Sequence, residues 1–202
     1  MDIDPWEEHY RSGAPLWRGS PYPLPELEKG SRVLDLGCGT GSTIIRAAEK
    51  GYDVTGMDIS PSALEIASGR ISERELKANL ICMDLTEPVI DMENYDLVLC
   101  HYVLGALDKK GREEASRNIS GWVERGGLLS FEDLAAGDIR YGKGREIEEG
   151  TFRKGTGIIQ HFFTIEEPEN LFPDLEISEM RIDEWKHGSM ERKRIVGLFV
   201  HP

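Results

Sequence analysis

Three carboxylates and three glycines carry the chemistry that this chain's residues can do. The stretch Val33-Leu34-Asp35-Leu36-Gly37-Cys38-Gly39-Thr40-Gly41 ends an apolar run on alternating glycines. Glycine adopts left-handed backbone conformations without steric cost and lets a ligand press against bare peptide. A pyrophosphate-binding turn has the spacing G-x-G-x-x-G, with the phosphates at a helix N-terminus. Here the spacing is G-x-G-x-G, and Asp35 stands two residues before the first glycine. A carboxylate at that place repels phosphate and can hold a cation. Spacing and charge together argue against a nicotinamide dinucleotide. A second acid, Asp58, follows in Gly56-Met57-Asp58-Ile59-Ser60, and a third, Asp84, in Cys82-Met83-Asp84-Leu85. A carboxylate after a second strand can accept both ribose hydroxyls of a nucleotide that lacks a 2′-phosphate.

These acids must be positioned by an alternation of strands and helices. Arg32 to Leu36 reads as a buried strand, and Ser42 to Lys50 as a helix closed by Gly51. Tyr52 to Met57 is a second strand, and Ser60-Pro61 opens a second helix by cap and proline. Asn79 to Met83 and Tyr95 to Cys100 are further strands, Lys109 to Glu124 an amphipathic helix, and Gly127 to Phe131 a fifth strand. Short, continuous apolar strands separated by helices predict a parallel sheet covered on both faces. Ligands bind at the carboxyl ends of such strands, where Asp35, Asp58 and Asp84 fall. At the front, Asp4-Pro5-Trp6-Glu7 predicts a helix start that puts Trp6 and Tyr10 on one face. The proline-rich stretch Gly19 to Pro25 follows as an extended connector. Residues 135–157 are glycine-rich and charged, without a period, and predict a long loop or lid. Thr164-Ile165-Glu166-Glu167 reads as another capping box. Two last strands, Glu176 to Ile182 and Arg194 to Val200, predict a closing hairpin joined by the polar stretch 183–193.

With 202 residues, one domain is expected. Acidic residues number 37 against 24 basic ones, a net charge of −13. That balance argues against a nucleic-acid partner, which needs clustered Lys and Arg. Three cysteines, Cys38, Cys82 and Cys100, lie far apart with no zinc-ligand spacing, so no metal site and a reducing compartment are expected. The acidic N-terminus lacks a following apolar stretch, and the longest charge-free apolar run, Leu97 to Leu107, falls short of the ~20 residues that span a bilayer. A cytoplasmic protein without a membrane partner is expected.

The Asp-x-Gly-x-Gly-x-Gly turn, followed by acids at the second and third strand ends, resembles the cofactor site of class I S-adenosylmethionine-dependent methyltransferases. The resemblance covers about residues 30–134. It implies an α/β, Rossmann-like fold with a seven-stranded, mostly parallel sheet in the order 3-2-1-4-5-7-6, strand 7 antiparallel, and helices on both faces. It implies a single domain over residues 1–202: a lid helix and connector (1–29), a cofactor-binding core (30–134), and a substrate-side loop with closing strands (135–202). The implied cofactor is S-adenosylmethionine, leaving as S-adenosylhomocysteine. Gly37, Gly39 and Gly41 then form its turn, and Asp35 approaches the methionine amino group. Asp58 takes the ribose, Asp84 the adenine amino group, and Ile59 and Leu85 flank the ring. His101 matches the residue beside the cofactor. Trp6, Tyr10 and Pro15-Leu16-Trp17 resemble the leading segment of small-molecule enzymes of the thiopurine and tellurite-resistance group, which folds over the cofactor. Aromatic faces such as Trp17 suit a sulfonium cation.

Methyl transfer is an in-line displacement governed by positioning, and a base helps only when the acceptor arrives protonated. His101 and His161 are the candidate bases. Glu132 and Asp133 end the fifth strand, where they can face an acceptor or cap a helix. Arg140, Tyr141, Lys143 and Arg145 can contact an anionic acceptor, and Trp185-Lys186-His187 can reach a pocket mouth. The sequence Leu99-Cys100-His101-Tyr102 is not the Asp/Asn-Pro-Pro-Tyr of amino methylation, and Cys100 lacks the preceding proline of cytosine-C5 chemistry. No Lys-Asp-Lys-Glu tetrad and no vicinal cysteine pair is apparent. A small-molecule acceptor and a monomer or homodimer are expected. Two alternatives stay open: a tRNA or protein methyltransferase with a partner subunit, and a non-catalytic cofactor-binding module.

Overall fold

A computed structural model describes residues 5–13, 23–87 and 93–202, with His187 described by its backbone only. Asp4, Trp17 and most of the proline-rich connector lie outside the described residues. The strands β1 (Arg32–Leu36), β2 (Asp53–Asp58), β3 (Asn79–Cys82), β4 (Tyr95–His101), β5 (Val123–Leu134), β9 (Glu176–His187) and β10 (Met190–Val200) form one sheet. Their order is β3-β2-β1-β4-β5-β10-β9, with β10 antiparallel to its neighbours. This is the mixed α/β order, with its antiparallel last strand, that the sequence implies. No helix among the described residues is long and apolar enough to cross a membrane.

Two compact units make up the chain, Met1–Asp84 and Leu85–Pro202. In the first, the helices are α1 (Pro5–Arg11), α2 (Ser42–Glu49) and α3 (Pro61–Ser72). Strand β2 pairs in parallel with both β1 and β3. Val33, Leu34, Ile44, Ala47 and Met57 are fully buried between them. Helix α2 stops where Gly51 turns left-handed at φ 86° and its amide donates to the Ala48 carbonyl at 2.9 Å. Helix α3 begins on Ser60, whose hydroxyl accepts from the Ala63 amide at 3.1 Å, with Pro61 in the first turn. Both boundaries follow from the side chains expected to set them.

In the second unit, β4 leads through a 3-10 turn (Leu104–Ala106) to α4 (Lys109–Trp122). The Asp108 carboxylate caps α4 by accepting from the Gly111 amide at 2.8 Å. Helix α4 ends at Trp122, short of the expected Glu124, because β5 begins at Val123 and pairs there with Tyr95 of β4. Phe131, Phe163, Phe172 and Phe199 pack edge to face, with centroids 5.3–6.2 Å apart.

Two expectations are corrected here. The segment 135–157 is not simply a long loop: it carries β6 (Arg145–Glu148) and β7 (Thr151–Arg153), which with β8 (Ile159–His161) form a separate antiparallel sheet. Its strands are too short to show a period, and they are fixed by Tyr141 packing edge-on to Phe152 and Phe162 at 5.1 and 5.4 Å. The polar stretch 183–193 is not a connector but the paired ends of β9 and β10. Its charges neutralise one another across the strands, Lys193 with Glu184 at 2.6 Å and Arg194 with Asp183 at 3.0 Å. A short helix, α5 (Glu167–Leu171), completes the unit.

Candidate cofactor and acceptor sites

The first unit builds a cradle at the ends of β1 and β2. Gly37, Gly39 and Gly41 all take left-handed conformations, with φ of 58°, 52° and 78°. Side-chain-bearing residues reach that region only at a cost of roughly 1–2 kcal/mol each, so the glycine spacing is a backbone requirement. Asp58 locks the turn to β2. Its Oδ2 accepts from the Gly39 amide at 2.8 Å and its Oδ1 from the Ser60 amide at 2.9 Å. Arg70 of α3 holds the far side of the turn, donating to the Thr40 carbonyl at 2.6 Å and its hydroxyl at 2.8 Å.

Asp35 ends β1 almost fully buried, and its Oδ2 has no hydrogen-bond partner among the described residues. Burial, and then the charge of Asp58, push its carboxyl up to about 8, with Arg46 pulling the other way. An unpartnered buried carboxylate is costly and is retained where a ligand completes it. An ammonium group is the complement that supplies both charge and N–H donors, so the donor set fits the amino end of a methionine-derived cofactor. The neighbouring Cys38 thiol is pushed up by burial and by both acids, which keeps it protonated and inert.

Helix α1 contributes Tyr10, which the sequence analysis singled out, and Glu7, whose partner it did not foresee. Glu7 accepts from the Ser60 hydroxyl at 2.6 Å, the Ser62 hydroxyl at 2.7 Å and the Ser62 amide at 3.1 Å. It therefore serves the N-terminus of α3 rather than its own, a favourable place for a carboxylate. This docking sets Tyr10 against the turn, so that a Cβ on Gly39 would lie 2.7 Å from the Tyr10 hydroxyl oxygen. Burial and the Asp58 charge raise the Tyr10 hydroxyl, leaving it a neutral donor. No local pattern could have revealed the Glu7 contact, which spans 53 residues. Trp6 stands edge-on to His9. Ile59 and Asp84 are half-buried after β2 and β3, and the Ile59 carbonyl accepts from the Cys82 thiol at 3.7 Å. Leu85, buried, opens the second unit.

At the ends of β4 and β5 the second unit gathers His101, Tyr102 and Glu132. His101 Nε2 lies 2.9 Å from the Ser130 hydroxyl. Tyr102 is left-handed at φ 60°, held by its amide donating to the Glu132 carbonyl at 2.7 Å. Such strain on a bulky residue clusters at functional sites. Glu132 is 1 % exposed; Arg194 donates to its Oε1 at 2.9 Å, and its Oε2 has no hydrogen-bond partner among the described residues. Burial raises the Glu132 carboxyl, opposed by the Tyr102 hydroxyl and Arg194. Asp133 takes the capping role: its oxygens accept from the Gly105 and Leu134 amides, both at 2.8 Å. Burial nevertheless raises it to about 7. Trp185 is stacked by Arg192 and Arg194 at 5.5 and 5.3 Å.

His161 lies apart from His101 along the chain and in setting. It is buried, with Nδ1 2.7 Å from the Thr151 hydroxyl and Nε2 3.1 Å from the Glu167 carboxylate. The other Glu167 oxygen accepts from the Thr164 amide at 2.6 Å, so the capping-box glutamate also orients this ring. His161 lines a cleft of about 570 Å³ with Lys109, Arg112, Tyr141, Phe162 and Glu167.

Residues 33–127, which contain the glycine turn and all three acids, match the methyltransferase domain family. The sheet order is that of the class I methyltransferase fold, and residues 33–127 carry the family match within it. The chain is 27% identical over 161 residues to a tRNA N(3)-methylcytidine methyltransferase of Drosophila melanogaster, covering 74% of this chain and 50% of that one. It is 30% identical over 106 residues to a ubiquinone biosynthesis O-methyltransferase of Coxiella burnetii, covering 52% of this chain and 44% of that one. The chain spans about half the length of the curated relatives it matches. Among solved structures, a SAM-dependent methyltransferase from Methanosarcina mazei superposes with a TM-score of 0.74 over 98% of both chains at 23% identity. TehB from Haemophilus influenzae gives 0.67 at 19% identity over 85% of this chain and 58% of its own. The N-methyltransferase NodS from Bradyrhizobium japonicum, solved with S-adenosyl-l-homocysteine, gives 0.64 at 20% over 86% and 79%. At these identities the structures speak for the fold.

Proposed function

We propose that this chain transfers a methyl group from S-adenosylmethionine to a small-molecule acceptor. The observation that carries the reading is Asp35, a buried carboxylate with an unpartnered oxygen beside a turn of three left-handed glycines. When bound, the cofactor supplies a methyl group already activated on a sulfonium. Asp35 accepts from the amino group, and Asp58 accepts from the ribose hydroxyls. Asp84 reads the adenine amino group, with Ile59 against the ring and Tyr10 beside the turn. His101, fixed by Ser130, borders the acceptor and takes its proton where it arrives protonated.

A small acceptor is supported by the net charge of −13 and by the pairing of hairpin cations with acids, Arg192 with Asp138 and Arg194 with Glu132. The free thiols of Cys38, Cys82 and Cys100 support a reducing, cytoplasmic setting. A second reading, methyl transfer to tRNA, is favoured by the tRNA-modifying relative that covers 74% of this chain.

Titration calorimetry with S-adenosylhomocysteine, with nicotinamide dinucleotides as control, tests the cofactor. Binding of both or of neither overturns it. Label transferred from the methyl-labelled cofactor to extract then separates the readings. Product in a low-mass filtrate supports the small acceptor, and product lost on nuclease treatment supports tRNA.

A further inference from the structure

Strands β6 and β7 pair with Arg145 directly opposite Arg153. Opposed residues on antiparallel strands share a face, with Cβ atoms about 5 Å apart, and like charges so placed are destabilising. The chain has acids to spare at a net charge of −13. Even so, both arginines are exposed and make no ion pair among the described residues. The two carboxylates on strand β6 are engaged elsewhere. Glu146 accepts from the Gly150 amide at 3.2 Å, and Glu148 from the Lys109 amide at 2.7 Å and Arg112 at 3.1 Å. Lys143, two residues before Arg145, is exposed and also without an ion pair. The contrast with the closing hairpin is plain: there Arg181, Arg192 and Arg194 each meet a carboxylate. Two opposed arginines cost stability that no ion pair among the described residues offsets.

We propose that this face of the β6–β7 hairpin is a binding site for a phosphate-bearing ligand, held between the Arg145 and Arg153 guanidinium groups. Two planar, permanently charged forks match phosphate oxygens by paired hydrogen bonds, which an ammonium cannot do. A doubly charged anion also removes the repulsion between the two strands. The site does not depend on methyl transfer, and it takes the same chemistry from a free phosphorylated compound or from an RNA backbone.

Thermal unfolding and calorimetry of the whole chain with inorganic pyrophosphate, against sodium chloride at matched ionic strength, test it. A labelled unmodified tRNA provides a second arm by fluorescence anisotropy. In phosphate-free buffer, Arg145→Gln and Arg153→Gln each raise the unfolding midpoint, because a repulsion is removed. Pyrophosphate raises the parent midpoint and does so no longer in the double variant, and each single variant weakens binding about tenfold or more. A parent that binds tRNA at least tenfold more tightly than the double variant, with or without a pyrophosphate response, places the phosphate on RNA. A pyrophosphate response alone places it on a small compound. Equal responses of parent and double variant, or no response of the parent to either probe, overturn the proposal.

Discussion

Asp58 and Gly39 are joined by a 2.8 Å hydrogen bond from the Gly39 amide to the Asp58 carboxylate, so the side chain proposed to take the ribose also shapes the glycine turn. Its second oxygen is engaged at 2.9 Å by the Ser60 amide. Asp58→Ala is expected to weaken S-adenosylhomocysteine binding by about 1–3 kcal/mol, the scale of losing charge-assisted hydrogen bonds. The unfolding midpoint falls with it, since two amides lose their acceptor. Asp58→Asn keeps one acceptor and sets an amide group against a backbone N–H, so it lies between the parent and Asp58→Ala. Unchanged affinity of Asp58→Ala in calorimetry would remove Asp58 from the ribose contact.

Asp35 gives the free protein a pH dependence of definite sign. Its carboxyl is raised from the ordinary 3.8 to about 8, so the folded state holds a proton that the unfolded chain has released. The stability it contributes is present below about 4 and is lost as pH rises toward 8. Asp133, raised to about 7, acts in the same direction. Asp35→Asn, neutral throughout, is expected to flatten the stability slope across this window and to be more stable than the parent at its upper end. The proposed contact with the cofactor's ammonium takes the ionised form, so binding is expected to release a proton near neutral pH. Calorimetry in buffers of different ionisation heat reads that proton, and Asp35→Asn loses both the proton release and most of the affinity. A parent that binds without proton release refutes the assignment.

The order of strands and the glycine-and-acid cradle were legible because each rests on local rules. Apolar runs, capping serine and proline at Ser60-Pro61, and left-handed glycines all act within a few residues. What was not legible acts at long range. Glu7 caps a helix 53 residues away. The strands β6 to β8 owe their existence to Tyr141, Phe152 and Phe162 meeting through the fold, not to alternation in a charged, glycine-rich stretch. The ends of β9 and β10 look like a polar connector until Arg194 and Asp183 are seen to pair across them. Asp133 and Glu132 are adjacent and alike in sequence; burial leaves one oxygen of Glu132 unpartnered, while backbone amides take both oxygens of Asp133.

His161 is held on both ring nitrogens, by Thr151 at 2.7 Å and Glu167 at 3.1 Å, and packs edge-on to Phe163 at 4.5 Å. Its removal opens a cavity and strands two polar partners. His161→Ala is expected to cost about 2–4 kcal/mol of stability in urea unfolding. S-adenosylhomocysteine affinity is expected to stay at the parent value, because the Gly39–Asp58 turn is held by its own hydrogen bonds. If His161 is instead the base that the sequence suggests, His161→Asn folds at near-parent stability and loses methyl transfer.

Asp138 is the anchor of the second unit's basic residues. Its side chain is fully enclosed and accepts from Arg140 at 2.6 Å, Arg192 at 3.1 Å and the Lys193 amide at 2.9 Å. Against the cost of burial, these partners hold its carboxyl down at about 2. The sign is opposite to that of Asp35: its stabilisation is complete above the ordinary 3.8 and is lost as pH falls toward 2. Asp138→Ala leaves two guanidinium groups and the Arg140 and Lys193 amides without this acceptor, and breaking a buried pair in this way costs about 3 kcal/mol or more. Asp138→Asn keeps an oxygen for one of them and costs roughly half as much. In urea unfolding the gap between parent and Asp138→Ala is full at neutral pH and closes as the acid range is entered. A gap that stays constant down to the lowest pH would mean that packing, not charge, is what Asp138 supplies.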